Sequence, residues 1–128
     1  MTRHWVVTAA LLITAGMNGA LAEDYPARTI TMIIPFAVGG PADITGRIVA
    51  DVLARHLGRS VVVENINGAG GTIGALRAAR ATPDGYTILF GHMSTNALAP
   101  AFYPNLGYDP LKDFEPIGLA AEYPELLV

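Results

Sequence analysis

Apolar residues in this chain form short runs separated by longer segments with helical spacing. The first run, Thr29–Ile34, is closed by Pro35 and is typical of a buried strand. The next segment extends from Asp43 to Gly58, a residue well suited to end a helix. Its apolar side chains recur every three or four residues and predict one helix with a buried stripe formed by Ile44, Ile48, Val49, Val52, Leu53 and Leu57.

Two further strands and a second helix are predicted downstream. Ser60–Glu64 is rich in β-branched residues and leads into a glycine-rich turn, Asn65–Gly74. Ala75–Ala81 then predicts a short helix, and Tyr86–Phe90 a third strand after the turn Pro83-Asp84-Gly85. Strands that alternate with helices at these spacings predict right-handed crossovers and a parallel sheet, so the predicted fold class is α/β.

The N-terminal segment has the pattern of a secretory signal peptide. Arg3 and His4 precede the apolar run Val6–Ile13, and Ala20-Leu21-Ala22 supplies a small-residue cleavage site. The apolar run is too short, and too interrupted by Thr14, Gly16 and Asn18, to favour a membrane-spanning mature helix. An uncleaved membrane anchor is the alternative. We therefore expect residues 1–22 to be removed after Ala22 and the mature chain to be exported.

The composition favours a globular domain without disulfide bonds. Hydrophobic residues make up 52% of the chain, charged residues 15%, and there is no cysteine. Lipid attachment through an N-terminal cysteine is thereby excluded. Without Arg3, seven basic and eleven acidic residues give a formal charge of −4, which argues against general nucleic-acid binding.

The C-terminal part contains strand-like sequence. Glu115–Ala121 and Leu126–Val128 are both rich in apolar residues, and the second of them ends the chain. We expect strands in these segments and therefore expect the chain to end before its fold is complete.

Three loops follow the predicted strands and should meet at one edge of the sheet. They are Pro35–Asp43, Asn65–Gly74 and Gly91–Asn96. In parallel sheets, ligands gather beyond the carboxyl ends of the strands. Glycine amides in the first two loops suit a small anion, and hydroxyl and amide side chains in the third suit a polar ligand. The candidate ligand-binding residues are Gly39, Gly40, Gly70, Gly71, Ser94, Thr95 and Asn96.

Each of these features has a purely structural alternative. The glycines are also explained by backbone conformations with positive φ, and Ser94–Asn96 by a helix cap or a side-chain turn. Asp43 is either a helix N-cap or a partner for a ligand ammonium group, whereas Phe36 is interpreted as half core and half pocket wall. His92 is more often a turn residue or hydrogen-bond donor than a metal ligand or base.

Two enzyme classes fit the sequence poorly. A dinucleotide site would need glycine where Ile73 stands in G-x-G-x-x-G, and an acidic residue at the end of the third strand, where the sequence is Phe90-Gly91-His92. A serine hydrolase would need the G-x-S-x-G turn, which Ser94 lacks.

The chain resembles the periplasmic solute-binding receptors of tripartite tricarboxylate transport systems, also called Bug receptors. The similarity covers the mature chain nearly end to end. It is carried by six ordered groups of residues: Tyr25-Pro26 with Ile30; Pro35-Phe36, Gly39-Gly40 and Asp43-Ile44; Val62-Val63-Glu64-Asn65, Gly68-Ala69-Gly70-Gly71 and Ile73-Gly74; Pro83-Asp84-Gly85-Tyr86; Tyr108-Asp109-Pro110-Leu111-Lys112-Asp113-Phe114; and Pro116-Ile117.

This resemblance implies a type II periplasmic binding protein fold, in which two α/β domains close on a small carboxylate. It implies ligand contacts from Phe36, Gly39, Gly40 and Asp43 in the first loop and from Gly70 and Gly71 in the second. The chain departs from the family where Ser94 and Asn96 replace frequent glycine and histidine, and where Ala42 replaces threonine or serine, so the residues that hold the ligand's second functional group stay open.

The resemblance also implies a function without catalysis or cofactor. A receptor of this kind binds a dicarboxylate, tricarboxylate, aromatic acid or amino acid in the periplasm and delivers it to membrane permease subunits. Family members are more than twice as long, so residues 23–128 would form only the first lobe, with the second lobe missing. The alternatives are a truncated fragment that does not bind and, third, a nucleotide-dependent α/β enzyme.

Overall fold

The computed structural model describes residues 24–122. It contains a small parallel sheet, three helices and two tight helical turns. In chain order these are β1 (Ile30–Ile34), α1 (Pro41–Leu57), β2 (Val61–Asn65), a 3₁₀ turn (Ala69–Gly71), α2 (Thr72–Ala79), β3 (Thr87–Leu89), a π-helical turn (Ser94–Leu98) and α3 (Ala99–Phe102).

The strands lie in the order β2-β1-β3, and both pairings are parallel. Ile30 pairs with Val61 and Thr31 with Thr87, so β1 is the central strand. The predicted parallel α/β sheet is therefore confirmed. Because the chain steps from β1 to one neighbour and then back past β1 to the other, right-handed crossovers place α1 and α2 on opposite faces. Such a reversal of strand order opens a crevice beside the carboxyl end of the central strand.

The main hydrophobic core lies between α1 and one face of the sheet. Met32, Ile34 and Ala50 are buried, and partly buried side chains from α1, β2, β3 and the loops that follow β1 and β3 pack around them. Alternate residues of a strand share one face, which explains why Met32 and Ile34 lie together. Gly46 allows α1 to approach closely, since a Cβ there would lie 2.5 Å from Ile34 Cδ1.

The face that α1 presents to the sheet differs from the predicted stripe. The structure packs Ala42, Val49, Ala50 and Leu53 onto the core. The predicted stripe residues Ile44, Ile48, Val52 and Leu57 are exposed. The prediction is confirmed for Val49 and Leu53 and was wrong for the other four residues. It followed the largest apolar side chains, whereas the small residues Gly46 and Ala50 decide which face comes close to the sheet.

Several boundaries also differ from the predictions. α1 begins at Pro41 because proline fits the first helical position, and α2 begins at Thr72, directly after the positive-φ turn. The helical structure from Met93 to Phe102 was not predicted. The prediction of a strand at Glu115–Ala121 was wrong, because this segment has no regular secondary structure and joins no sheet among residues 24–122. An apolar pattern alone supplies no hydrogen-bonding partner.

The predictions for residues 1–22 and for Leu126–Val128 lie outside the described residues. In the part that the structure describes, every helix is too short or too polar to cross a bilayer.

Candidate functional site

The three loops predicted to share one edge of the sheet do converge, and they meet at Gly71. This residue is buried and has a φ of +93°. A Cβ at Gly71 would lie 2.7 Å from Thr95 Cγ2, 3.2 Å from the Pro35 carbonyl oxygen and 3.4 Å from Phe36 Cζ. Only a residue without a side chain fits this space, so Gly71 allows the second loop to contact the first and the third.

The second loop is built from consecutive residues with positive φ. Gly68, Ala69, Gly70 and Gly71 have φ values of +130°, +46°, +66° and +93°. The Gly71 amide donates to the Gly68 carbonyl at 2.9 Å, and Thr72 Oγ1 donates to the Ala69 carbonyl at 3.0 Å. Among residues 24–122, no acceptor binds the amides of Ala69 and Gly70. These exposed amides are available to an anionic ligand.

In the first loop, Asp43 lies at the third residue of α1 rather than at its N-cap, which is Gly40. Asp43 is 2% exposed, and three donors contact its carboxylate. Oδ2 accepts from the Gly39 amide at 2.9 Å and from Arg47 Nε at 3.0 Å, and Oδ1 accepts from Asn65 Nδ2 at 2.8 Å. The predicted N-cap role was wrong, because Pro41 starts the helix two residues earlier.

Asn65 joins this carboxylate to the end of β2. Its Nδ2 also donates to the Phe36 carbonyl at 3.1 Å, and its Oδ1 accepts from an Arg47 guanidinium nitrogen at 2.9 Å. The network therefore fixes the first loop against the second strand. Neither Asn65 nor Arg47 was predicted from the sequence to take part in the site. The available signal was an i, i+4 acid–base pair on one helix together with an amide at the end of a strand.

The donors around Asp43 stabilise its ionised form. The Arg47 hydrogen bond, followed by those from the Gly39 amide and Asn65, lowers the pKa of Asp43 to about 2 from an ordinary value of 3.8. A carboxyl group with a depressed pKa in the folded state adds stability above its unfolded pKa. This stability is lost as the pH falls from about 4 through about 2.

We expect Asp43→Asn to lower the urea midpoint of unfolding at pH 7 more than Asp51→Asn does. Asp51 is the matched control because it also forms an i, i+4 pair on α1, with Arg55, but is exposed to solvent. Exposed pairs contribute little. Urea unfolding followed by circular dichroism from pH 7 to pH 2 measures both variants. The difference between Asp43→Asn and the parent chain should shrink below pH 4, and a constant difference would contradict this assignment.

The third loop is held together by Thr95, which is completely buried. Its Oγ1 accepts from the His92 amide at 3.0 Å and donates to the His92 carbonyl at 2.9 Å. The Ser94 amide donates to His92 Nδ1 at 3.2 Å. These bonds are those of a side-chain turn, the structural alternative considered for Ser94–Asn96, and His92 acts here as a turn residue. Asn96 is exposed beside Gly91.

A downstream segment anchors this loop. Tyr108 is buried, and its hydroxyl donates to the Thr95 carbonyl at 2.7 Å, while its ring packs edge-on against Phe114 at 5.8 Å. Burial raises the pKa of the Tyr108 phenol and thus favours the protonated form that donates this hydrogen bond. The Tyr108–Phe114 segment of the family resemblance thus acquires a structural role.

An aromatic contact closes the space between the first and third loops. The rings of Phe36 and His92 meet edge to face with centroids 5.3 Å apart. Phe36 is half-buried and also packs on the main core, which confirms the part of the prediction that placed its ring partly in the core. The contact spans the crevice between β1 and β3, where the strand order reverses.

Tyr103 is a further residue that the sequence analysis did not select. It follows α3, and its hydroxyl would lie 3.4 Å from a Cβ at Gly70. This places a phenol beside the exposed amides of the second loop. No sequence signal marked it, because the helical turn that carries Tyr103 to this position was not predicted.

The arrangement offers hydrogen-bond donors to an anion. It offers backbone amides at Ala69, Gly70 and the first turn of α1, where helical amides lack intrahelical acceptors. The charged groups Asp43 and Arg47 already bind one another, and the Gly39 amide binds Asp43. Within residues 24–122, histidine and acidic side chains form no cluster able to hold a metal ion.

Comparison with solved structures supports the fold. MatC from Rhodopseudomonas palustris with bound malate superposes with a TM-score of 0.72 and 46% identity, covering 75% of this chain and 33% of MatC. The periplasmic binding protein BugD has a TM-score of 0.67 and 48% identity, covering 73% of this chain and 31% of BugD. The predicted relation to a periplasmic binding protein fold, with only part of that fold represented, is confirmed.

Sequence comparison leads to the same group of proteins. A UPF0065 protein of Agrobacterium vitis is 43% identical over 122 residues, which are 93% of this chain and 35% of that protein. The chain therefore spans about a third of the length of this relative. Residues 44–128 match the family described as the tripartite tricarboxylate transporter family receptor. This chain belongs to the tripartite tricarboxylate transporter receptor family.

Proposed function

We propose that residues 23–128 form the first lobe of a periplasmic receptor that binds a small dicarboxylate for delivery to the permease subunits of a tripartite tricarboxylate-type transporter. The observation that carries this proposal is the convergence of three post-strand loops at Gly71, beside the open amides of Ala69 and Gly70. Family membership and the malate bound to the similar MatC structure support it. Residues 1–22 act as the cleaved signal peptide that directs export.

The ligand is held as an anion by dipoles rather than by an ion pair. The described part of this edge has no unpaired cation, because Arg47 is bound to Asp43 and Asn65. Amides at the glycine turn and at the α1 N-terminus provide partial positive charge. Both oxygens of Asp43 have protein donors, which favours an acid without an ammonium group over an amino acid.

Individual residues have distinct roles in this proposal. Gly40, Gly70 and Phe36 line the carboxylate position, and Ser94 and Asn96 face the rest of the ligand. Asp43, Gly39 and Thr95 hold the first and third loops in place through the bonds described above. Gly71 provides the space in which the loops meet. The reaction is reversible binding, with no bond made or broken in the ligand.

Isothermal titration calorimetry of the chain with malate tests the proposal. We expect the parent chain to bind malate and Asn96→Ala to weaken this binding about tenfold. That factor corresponds to the loss of one hydrogen bond of about 1.4 kcal/mol. Asn105→Ala is the matched control, because Asn105 is an exposed asparagine outside the three loops. The malate affinity of this variant should equal that of the parent chain. Absence of heat with malate would support the non-binding fragment instead. Equal weakening by both variants would reject the loop assignment.

A further inference from the structure

A second concavity lies at the opposite end of the sheet from the three loops. Its volume is about 290 Å³, and Thr87, the first residue of β3, forms part of its wall. The other polar side chains that line it are Arg28, Arg77, Arg80, Thr82, Asp84 and Tyr86. Since the candidate carboxylate site lies at the carboxyl ends of the strands, the two sites are separate.

Arg28 is held in place by two interactions. One guanidinium nitrogen donates to Asp84 Oδ2 at 2.7 Å, and the guanidinium carbon lies 3.9 Å from the centroid of the Tyr86 ring. Tyr86 is itself fixed, because its hydroxyl accepts from the Ala27 amide at 2.8 Å. An arginine has five N–H donors, so Arg28 retains donors beyond the one given to Asp84.

The other two arginines of the concavity are exposed to solvent. Arg77 lies in the last turn of α2 and Arg80 at its C-cap. Neither forms an ion pair with any residue between 24 and 122. Three guanidinium groups therefore face one carboxylate in this concavity, although the chain as a whole has a net charge of −3.

Backbone hydrogen bonds make the rim of the concavity rigid. The Arg80 amide donates to the Leu76 carbonyl at 3.1 Å, and the Ala81 amide to the Ala78 carbonyl at 3.0 Å. Asp84 Oδ1 accepts from the Tyr86 amide at 3.0 Å. The concavity thus combines a hydrogen-bonded rim, one fixed guanidinium group, two guanidinium groups without an ion pair among the described residues, and the hydroxyls of Thr82 and Thr87.

We propose that this concavity, formed by Arg28, Arg77, Arg80, Thr82 and Thr87, binds a phosphate-type oxyanion. Guanidinium groups bind such anions through paired N–H donors, and threonine hydroxyls add further donors. The anion is either free phosphate or the phosphate of a lipid headgroup. This site is independent of the proposed dicarboxylate site, and each is tested by its own ligand and variants.

Inorganic phosphate at low ionic strength is the first probe, monitored through the arginine Nε–Hε signals of the chain by NMR. We expect the signals of Arg28, Arg77 and Arg80 to shift, with a dissociation constant on the order of 1 mM. Arg77→Gln/Arg80→Gln should weaken phosphate binding at least about tenfold, since two charge-assisted donors are lost. Equal shifts of the Arg55 and Arg59 signals would overturn the proposal.

Arg55→Gln/Arg59→Gln is the matched control. It removes the same charge from the end of another helix, because α1 ends at Leu57. Phosphate affinity of this control should stay within about twofold of the parent chain, as expected for screened, distant charges. If Arg77 and Arg80 only offset the α2 dipole, Arg77→Gln/Arg80→Gln would change the melting temperature without changing phosphate affinity. That result would overturn the proposal.

Sedimentation with phosphatidylglycerol vesicles separates the two sources of the anion. If the parent chain and the control variant bind the vesicles and Arg77→Gln/Arg80→Gln does not, the anion is a lipid headgroup. Phosphate titration without vesicle binding identifies a free anion. Malate binding should be equal in all these chains, so the loss of one activity does not imply loss of the other.

Discussion

Gly71→Ala is expected to lower the free energy of unfolding by about 3 kcal/mol, combining the cost of a left-handed non-glycine residue with that of overpacking. The structural reason is that a Cβ at Gly71 has no room between Thr95 and Pro35. The same substitution should abolish malate binding, because the loops can no longer meet. Urea unfolding and calorimetry with malate measure the two effects.

Gly58→Ala is the matched control for this prediction. Gly58 also has a positive φ, +64°, but a Cβ there would meet no atom within 4 Å. Gly58→Ala should therefore lower the free energy of unfolding only by the backbone cost, about 1 kcal/mol, and retain malate binding. Equal destabilisation by both variants would show that crowding at Gly71 is unimportant. Because Gly71 is buried where the three loops meet, its substitution should reduce stability as well as malate binding.

Gly74→Ala is expected to lower the free energy of unfolding by about 2–3 kcal/mol, even though alanine improves helix propensity by about 1 kcal/mol. A Cβ at Gly74 would lie 2.5 Å from the Ile66 carbonyl oxygen and 2.9 Å from Pro35 Cα. Both are backbone atoms, so no rotation of a side chain relieves the clash. The helix must move away from the first and second loops, and urea unfolding reports the cost.

Gly46→Ala provides the comparison within a helix. Its Cβ would approach Ile34 Cδ1 at 2.5 Å, which is the end of a side chain rather than backbone. We expect a smaller loss than for Gly74→Ala, because Ile34 can change its rotamer and the helix gains propensity. A larger loss for Gly46→Ala would indicate that packing on the main core, and not the spacing of α2 from the loops, limits stability.

The two proposed sites use different chemistry at opposite ends of one sheet. At the carboxyl ends of the strands, Asp43 and Arg47 are paired with each other, and binding depends on backbone amides. At the amino end of β3, Arg77 and Arg80 have no ion pair within residues 24–122. Binding at the arginine site should therefore weaken steeply with salt, whereas amide-based binding of malate should depend on salt less.

The sequence by itself predicted the parallel α/β sheet, because apolar runs and turn residues report local structure directly. It also predicted the shared edge of the three loops, since parallel strands place their carboxyl ends together. It did not determine which face of α1 is buried. That choice depends on how closely Gly46 and Ala50 let two elements approach, a property of both surfaces together.

Only the tertiary structure decided the roles of the residues at that edge. Asp43 binds Asn65, 22 residues away, and Gly71 meets Thr95, 24 residues away, so no local pattern shows these contacts. Residue type indicated that glycines and polar side chains gather there. Which amides stay open for a ligand depends on which donors the fold has already used, and hydrogen bonds between distant segments determine that.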